Sequence, residues 1–202
     1  MEEAFLIAGL GNPGREYART RHNAGFLLAD ILAEQWKAQW RAETRFQAHM
    51  AVVREGEKRV LLCQPQTYMN LSGQAVGALT RYYQIPQDRV LIVLDDADLP
   101  LGELRLRPQG GSGGHHGLAS VIEHLGTEQL PRLRLGIGRP ESGGREIARH
   151  VLDGFLAEEW AVAERMLNRA AEQVKCWIQH GIAQAMNNFN GMVQTTEQRN
   201  VE

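Results

Sequence analysis

Three loops place polar side chains directly after apolar, strand-like segments, and together they hold the groups that general-base hydrolysis requires. The first loop contains Asn12, Tyr17 and His22, the second covers residues 64–70, and the third begins with Asp95. A histidine can accept a proton from water, a carboxylate can fix its tautomer, and side-chain amides can donate hydrogen bonds to an oxyanion. Because open α/β sheets usually bind ligands at the carboxyl ends of their strands, we expect these loops to meet at one cleft.

Each of these residues also has a purely structural explanation. A histidine that follows two arginines is more often a surface residue, Asp95 could cap the next segment, and Asn70 could be a helix N-cap. In favour of catalysis, Arg19 and Arg21 flank His22, and nearby positive charge would favour the neutral imidazole that a base needs. The residues alone therefore predict a hydrolase but do not name its substrate.

Covalent, metal and dinucleotide chemistry are all poorly supported. Residues 9–14 fit the pattern GxGxxG, but no helix opens directly from the glycines, and the nearby acid Asp30 falls inside a predicted helix. No serine or cysteine lies in a nucleophile-elbow motif, and the aspartates within residues 95–98 lack a histidine at metal-ligand spacing. We expect neither a cofactor nor a metal.

Strand-like and helix-like segments alternate along the chain, which predicts a single α/β domain with a mixed, mostly parallel sheet. We expect this domain to cover residues 1–191 and a polar tail to cover residues 192–202, and we expect Asn23 to cap the first helix. The predicted strands are residues 5–9, 47–53, 59–63, 89–94, 102–107 and 133–137, and the predicted helices are residues 24–40, 71–83, 118–125, 157–180 and 182–188.

Composition points to a globular protein of the cytoplasm. Hydrophobic residues make up 43% and charged residues 23% of the chain, which are ordinary values for a globular domain. The N-terminus is acidic, and the apolar run after it is too short for a signal sequence or a membrane span. Cys63 and Cys176 lie far apart in apolar surroundings, so we expect reduced thiols.

The charge distribution leaves a nucleic-acid partner open. A net charge of −2 argues weakly against one, because phosphates are usually held by clustered basic residues. The segment 105–139, however, is locally basic, whereas acidic residues are frequent in the C-terminal region. The arginines of this segment could equally be solvated residues without a partner. They are Arg105, Arg107, Arg132, Arg134 and Arg139.

Several motifs in order along the chain resemble those of bacterial peptidyl-tRNA hydrolases. The resemblance covers about residues 5–155, and the combination of motifs is specific although no single motif is. The motifs are Gly-Leu-Gly-Asn-Pro-Gly at residues 9–14, Thr-Arg-His-Asn-Ala-Gly at 20–25, Pro-Gln-Thr-Tyr-Met-Asn-Leu-Ser-Gly at 65–73, Asp-Asp-Ala-Asp-Leu-Pro-Leu-Gly at 95–102, the glycine cluster up to residue 118, and Arg-Leu-Gly-Ile-Gly-Arg-Pro at 134–140.

This resemblance implies a monomeric, three-layer α/β/α sandwich that cleaves the ester between a peptide and the 3′ end of tRNA. It implies His22 as the base, Asp95 as the supporting carboxylate, and Asn12 as the residue that distinguishes blocked from free aminoacyl groups. Tyr17, Tyr68 and Asn70 would line the substrate site, and no cofactor is implied.

The resemblance also implies that Arg105, Arg107 and Arg134 hold tRNA phosphates. One departure is His116, which stands where the family normally has a substrate-contacting asparagine on a mobile lid. Histidine still offers hydrogen bonds but is bulkier. The alternative to an esterase is an RNA-binding adaptor on the same scaffold, although an adaptor has no chemical need for the retained catalytic residues.

Overall fold

The computed structural model describes residues 3–140 and 146–194, and strands and helices alternate through both ranges. The strands are Ala4–Gly9 (β1), Arg41–Glu43 (β2), Ala48–Glu55 (β3), Lys58–Pro65 (β4), Val90–Asp96 (β5), Glu103–Arg107 (β6), Arg132–Gly136 (β7) and Gly191–Met192 (β8). The helices are Ala24–Gln35 (α1), Ser72–Tyr82 (α2), His116–Leu125 (α3), Ile147–Leu152 (α4), Ala157–His180 (α5) and Ile182–Phe189 (α6).

One mixed sheet joins the eight strands of the described residues in the order β2-β3-β4-β1-β5-β7-β6-β8. The four central strands, β4, β1, β5 and β7, are parallel, whereas the flanking strands run antiparallel to their neighbours. The predicted mixed, mostly parallel core is confirmed.

Side chains on alternate strand positions point to opposite faces of this sheet, and each face packs against helices. On β1, for example, Ile7 joins the cluster formed with α1 and α5, whereas Leu6 and Ala8 join the cluster formed with α2 and α3. Two separate hydrophobic clusters with the sheet between them make the expected three-layer α/β/α sandwich.

Close backbone packing brings the start of α1 to the carboxyl ends of β1 and β5. A Cβ atom on Gly25 would lie 2.4 Å from the amide nitrogen of Leu10 and 2.5 Å from the carbonyl oxygen of Val93. A Cβ atom on Gly9 would lie 2.2 Å from the carbonyl oxygen of Gly25. Since only glycine permits such approaches, these two positions hold the turn that precedes α1 against the strand ends.

Three details differ from the prediction. The first helix ends at Gln35 rather than near residue 40, because Lys37 adopts a left-handed φ of 53°. The short elements β2, α4 and β8 were not predicted. Met192 forms part of β8 and Val193 is buried, although we assigned both to the tail. The prediction of a separate tail stays a prediction, because residues 195–202 lie outside the described ranges.

No helix in these ranges combines the length and the apolar character needed to cross a membrane.

Candidate active site

His22 lies in the single 3-10 turn Arg21–Asn23 that precedes α1. The turn is joined to the loop after β1 by Asn23, whose Oδ1 accepts a hydrogen bond from the amide of Asn12 at 2.9 Å and whose Nδ2 donates to the carbonyl of Asn12 at 2.9 Å. Asn23 stands at the N-cap position of α1, but its side chain makes no capping hydrogen bond. The capping role that we expected is therefore wrong, and the side chain links two loops of the site instead.

Arg21 anchors the same turn to α5. Its guanidinium is buried, donates to Glu159 Oε2 at 2.6 Å and donates to the carbonyl of Gly154 at 2.7 Å. Arg19 lies over the ring of Trp160, 4.6 Å from its centroid. Both arginines are therefore engaged by other groups, and their expected electrostatic effect on His22 stays a prediction.

His22 and Asp95 meet as the sequence predicted. Nδ1 of His22 lies 2.9 Å from Oδ1 of Asp95, which sits near the end of β5 and is almost fully buried. An ionised carboxylate can only accept hydrogen bonds, so the proton of the neutral imidazole must be on Nδ1. Nε2 is then left with a lone pair, which is the arrangement that a general base requires.

A second histidine, His115, bonds to the same carboxylate oxygen. Its Nε2 lies 3.1 Å from Asp95 Oδ1, and its Nδ1 accepts a hydrogen bond from the amide of Leu118 at 3.2 Å. Because Nδ1 accepts, Nε2 must carry the proton that is donated to Asp95. The sequence alone predicts no role for His115. Its one signal was its place at the end of the glycine cluster, directly before a helix, where Ser, Thr, Asp or Asn is the usual N-cap.

The two histidines keep Asp95 ionised. Burial by itself would raise the pKa of the Asp95 carboxyl, but the hydrogen bonds from His115 and His22 outweigh it and hold that pKa well below its usual range. Asp95 therefore acts as an acceptor that orients both rings and balances the charge of an imidazolium. It is not a proton donor.

Asn12, which Asn23 ties to the turn of His22, lines a cleft of about 410 Å³ together with Tyr68, Met69, Asn70 and His116. The Asn12 side chain is held in place because its Oδ1 accepts a hydrogen bond from the amide of Met69 at 2.8 Å. Its Nδ2 has no hydrogen-bond partner among the described residues. This amide is consequently a fixed donor beside the cleft.

Of the predicted substrate-binding residues, Tyr68, Asn70 and His116 line this cleft, and Tyr17 does not. Tyr68 is 64% exposed, and His116 is the exposed first residue of α3. Tyr17 lies in the turn before Thr20, whose amide and hydroxyl groups both donate to the Tyr17 carbonyl. A substrate-binding role for Tyr17 stays a prediction.

The predicted phosphate-binding arginines share one face of the sheet. In the antiparallel pair of β6 and β7, Arg105 stands opposite Arg134 and Arg107 stands opposite Arg132. Opposite residues in such a pair point to the same side of the sheet. The intervening leucines, such as Leu104, belong to the cluster on the other side.

The four arginines of this face are bound in different ways. Arg105 donates to Glu103 at 2.6 Å, and Arg134 pairs with Asp96, which follows Asp95 in the chain. Arg107 is exposed. Arg132 is buried and bonds to three backbone carbonyls, including that of Gly111 at 3.1 Å, so it ties the glycine cluster to the sheet.

His22, Asp95 and His115 are also the one group of potential metal ligands found among the described residues, with ligand atoms within 4.8 Å of one another. Both imidazole nitrogens that face Asp95 are its hydrogen-bond donors in this arrangement, and a metal ion would have to displace their protons. The three side chains form a hydrogen-bonded group in this structure, and the expected absence of a metal stays a prediction.

The fold and this site together are those of an α/β enzyme with a hydrogen-bonded histidine and aspartate and a cleft lined by side-chain amides. Comparison with known proteins identifies the family of this enzyme. The sequence model described as peptidyl-tRNA hydrolase matches residues 6–199. The chain is 52% identical to the peptidyl-tRNA hydrolase of Synechococcus sp. (strain JA-3-3Ab), over 92% of this chain and 82% of that protein. It is 49% identical to that of Desulfitobacterium hafniense (strain Y51), over 92% and 98% of the two chains.

Solved structures agree. The crystal structure of peptidyl-tRNA hydrolase from Acinetobacter baumannii superposes with a TM-score of 0.89 at 37% identity, over 95% of this chain and 97% of that one. The chain belongs to the peptidyl-tRNA hydrolase family, which confirms the resemblance read from the motifs.

Proposed function

We propose that this protein hydrolyses the ester bond between a peptide, or an N-blocked aminoacyl group, and the 3′ end of tRNA, with His22 as the general base. The observation that carries the proposal is the hydrogen bond of 2.9 Å between His22 Nδ1 and Asp95 Oδ1, which leaves Nε2 to accept a proton. The turn of His22 is tied through Asn23 to Asn12, which lines a cleft with Asn70, in a chain that belongs to this enzyme family.

In this mechanism Nε2 of His22 takes a proton from water while the water oxygen attacks the ester carbonyl carbon. The ionised Asp95 stabilises the imidazolium that forms. As the tetrahedral intermediate collapses, the bond from carbonyl carbon to ribose oxygen breaks, and the imidazolium returns its proton to that oxygen. The products are a free carboxylic acid and tRNA with a free terminal hydroxyl. The two proton transfers leave His22 neutral again.

Asn12 supports selection of a blocked substrate. Its side chain is fixed through Met69, and Nδ2 is the group left to donate. An acylated amino group offers a carbonyl oxygen nearby, which accepts such a hydrogen bond. A free aminoacyl group instead offers an ammonium, which is itself a donor and would face Nδ2 unfavourably.

The remaining substrate contacts are proposed from where the side chains lie, in the cleft or on the basic face of β6 and β7. Tyr68, Asn70 and His116 line the cleft and are proposed to hold the aminoacyl group and the terminal adenosine. Arg105, Arg107 and Arg134 are proposed to contact tRNA phosphates, which would exchange the present carboxylate partners of Arg105 and Arg134 for phosphate oxygens. A monomeric state, a cytoplasmic location and the absence of a metal or cofactor stay predictions.

The experiment is release of tRNA from N-acetyl-aminoacyl-tRNA by the purified protein, followed beside a binding measurement with the same tRNA. The proposal expects turnover, and slower release from the matching aminoacyl-tRNA with a free amino group. Tight binding of RNA without ester cleavage would contradict it and would favour the RNA-binding adaptor.

A further inference from the structure

A group of aromatic rings reaches the surface where α2 ends. Tyr82, the last residue of α2, is 52% exposed, and its ring meets that of Tyr83 edge-on with the centroids 4.9 Å apart. The same ring lies 5.2 Å from that of Phe46, which is buried. Tyr82 is thus supported by aromatic neighbours and leaves about half of its side chain open to solvent.

Arginine side chains stack on these rings. The guanidinium carbon of Arg45 lies 4.3 Å from the ring centroid of Tyr82, and that of Arg59 lies 5.2 Å from the ring centroid of Tyr83. Arg41 and Tyr83 together line a depression of about 280 Å³. These five residues, Arg41, Arg45, Arg59, Tyr82 and Tyr83, form what we call the arginine–tyrosine surface.

The strands place two of these arginines on the face of the sheet that packs against α2. Arg41 of β2 stands opposite Met50 of β3, and Met50 belongs to the hydrophobic cluster formed with α2 and α3. Arg59 of β4 lies two positions before Leu61, which belongs to the same cluster. Opposite residues of an antiparallel pair share a face, and so do alternate residues of one strand. Arg41 and Arg59 therefore lie on the side of the sheet that holds α2 and its terminal tyrosines.

The arginines of this surface are not neutralised by acids. Within the part of the chain that the structure describes, Arg41, Arg45 and Arg59 have no carboxylate partner. Glu43 also lines the depression, but it forms no ion pair with them. By contrast, two arginines on the basic face of β6 and β7 already hold carboxylates. Since a guanidinium stacked on a ring keeps the N–H groups in its plane available, this surface offers unused donors to an anion.

The surface is remote from the catalytic cleft and from the basic face. Asn70 of the cleft lies two positions before α2 begins, whereas Tyr82 ends it, and a helix of 11 residues is about 16 Å long. The strands β2, β3 and β4 lie at one end of the strand order, and β7 and β6 lie towards the other. A substrate tRNA held at the cleft and at the basic face would leave the arginine–tyrosine surface open.

We propose that the arginine–tyrosine surface binds single-stranded RNA other than the substrate tRNA, which goes beyond the proposed ester hydrolysis. Guanidinium groups donate charge-assisted hydrogen bonds to phosphate oxygens, and an exposed aromatic ring stacks on an unpaired base. Bases inside a duplex are stacked on one another and hide the faces that Tyr82 requires. Unpaired arginines beside an exposed tyrosine therefore fit a single strand better than a duplex or an acidic protein.

The test measures binding of fluorescein-labelled octauridylate by fluorescence anisotropy over a range of salt concentrations. We expect the wild type to bind it, with an affinity that falls as salt rises. Arg45→Gln/Arg59→Gln should reduce the slope of log affinity against log salt by about 1.4, since each phosphate contact on a single strand contributes about 0.7. Tyr82→Ala should weaken binding about tenfold without changing the slope, because it removes stacking on a base and no charge.

The matched control is Arg105→Gln/Arg107→Gln on the basic face, which removes the same number of charges and should bind octauridylate as the wild type does. Circular dichroism checks the folding of each variant, and Tyr82→Ala tests the surface independently of the arginine variant. Arg45→Gln/Arg59→Gln should also cleave N-acetyl-aminoacyl-tRNA with the wild-type kcat/KM, because these residues lie outside the cleft and the basic face.

Lack of octauridylate binding by the wild type would overturn the proposal, and so would an equal loss of affinity in the two arginine double variants. Binding of octaglutamate as tight as that of octauridylate would also overturn it and would indicate an acidic protein partner. Slower ester cleavage by Arg45→Gln/Arg59→Gln would place the substrate tRNA on this surface, against the proposal. Absence of ester cleavage by the wild type would instead refute the proposed function and leave the octauridylate result intact.

Discussion

His115 and Asp95 are joined by a hydrogen bond of 3.1 Å that ends on the same carboxylate oxygen as the bond from His22. One oxygen thus receives two imidazole N–H groups, and the second ring is itself fixed because it accepts the amide of Leu118 at the start of α3. The orientation of the proposed base, His22, therefore depends on the loop that carries the glycine cluster.

Separating the two bonds of His115 tests this dependence. His115→Asn keeps an acceptor at the N-cap but is too short to reach Asp95, whereas His115→Ala loses both bonds. We expect kcat to fall about tenfold in both variants, because either change removes one charge-assisted hydrogen bond from the carboxylate. Both variants should lose stability with the bond to Asp95, and the alanine variant should lose about 1 kcal/mol more unfolding free energy than the asparagine variant, measured by chemical denaturation. If His115→Asn kept the wild-type kcat, the bond from His115 to Asp95 would not matter for catalysis, and the role of His115 would be that of a helix cap.

The ionisation of Asp95 predicts how stability depends on pH. Its hydrogen bonds hold the folded-state pKa below the ordinary value of 3.8, so the unfolded chain binds the proton more readily. The resulting stabilisation is present above about pH 4 and disappears as the pH falls through the folded-state pKa. Urea titrations should show the wild type about 2 kcal/mol more stable than Asp95→Asn at pH 7. The difference should shrink towards pH 2, and a constant difference across this range would contradict the assignment.

The basic face predicts a dependence on salt. Removing one phosphate contact should lower the slope of log(kcat/KM) against log salt concentration by about one. Arg107→Ala should show this effect most fully, because Arg105 and Arg134 exchange existing carboxylate partners for phosphates.

The matched control is Lys175→Ala on α5, which packs against the opposite face of the sheet. If Lys175→Ala and Arg107→Ala change the slope equally, the arginines do not contact phosphates specifically.

We predict that the enzyme tolerates replacement of His116, which lines the cleft. It is exposed at the first position of α3, so replacement by the shorter asparagine should change stability by less than about 0.5 kcal/mol. Asparagine retains a donor and an acceptor, and we expect His116→Asn to keep or raise kcat/KM for N-acetyl-aminoacyl-tRNA. A large loss of activity would show that the histidine itself contacts the substrate in this enzyme.

Long, regular patterns made the core of the fold predictable. The amphipathic pattern of residues 157–180 predicted a helix with the same ends as α5 in the structure. The apolar run before Asp95 predicted a strand buried on both faces, which is β5. The strand β2 is three residues long and largely exposed, so it has no hydrophobic pattern to reveal it. Its place depends on pairing with β3.

The site was predictable where strand ends bring loops together, and not where contacts cross long distances in the chain. Asp95 lies near the carboxyl end of β5, and His22 follows the neighbouring parallel strand β1 in the loop region before α1, so the rule on carboxyl ends predicts that they meet. The partner of Arg21 is Glu159, 138 positions away, and nothing local distinguishes a buried, paired arginine from one that acts on its neighbour. His115 was missed for the same reason, because its bond to Asp95 forms only after folding.

The most direct test of the catalytic assignment is the single-turnover rate of ester cleavage by the His22→Ala variant at saturating enzyme, where binding no longer limits the observed rate. Since general-base catalysis contributes about 10²–10⁴ in rate, we predict a loss of that size with tRNA binding retained. Single-turnover cleavage by His22→Ala at the wild-type rate would remove His22 from the reaction and contradict the account.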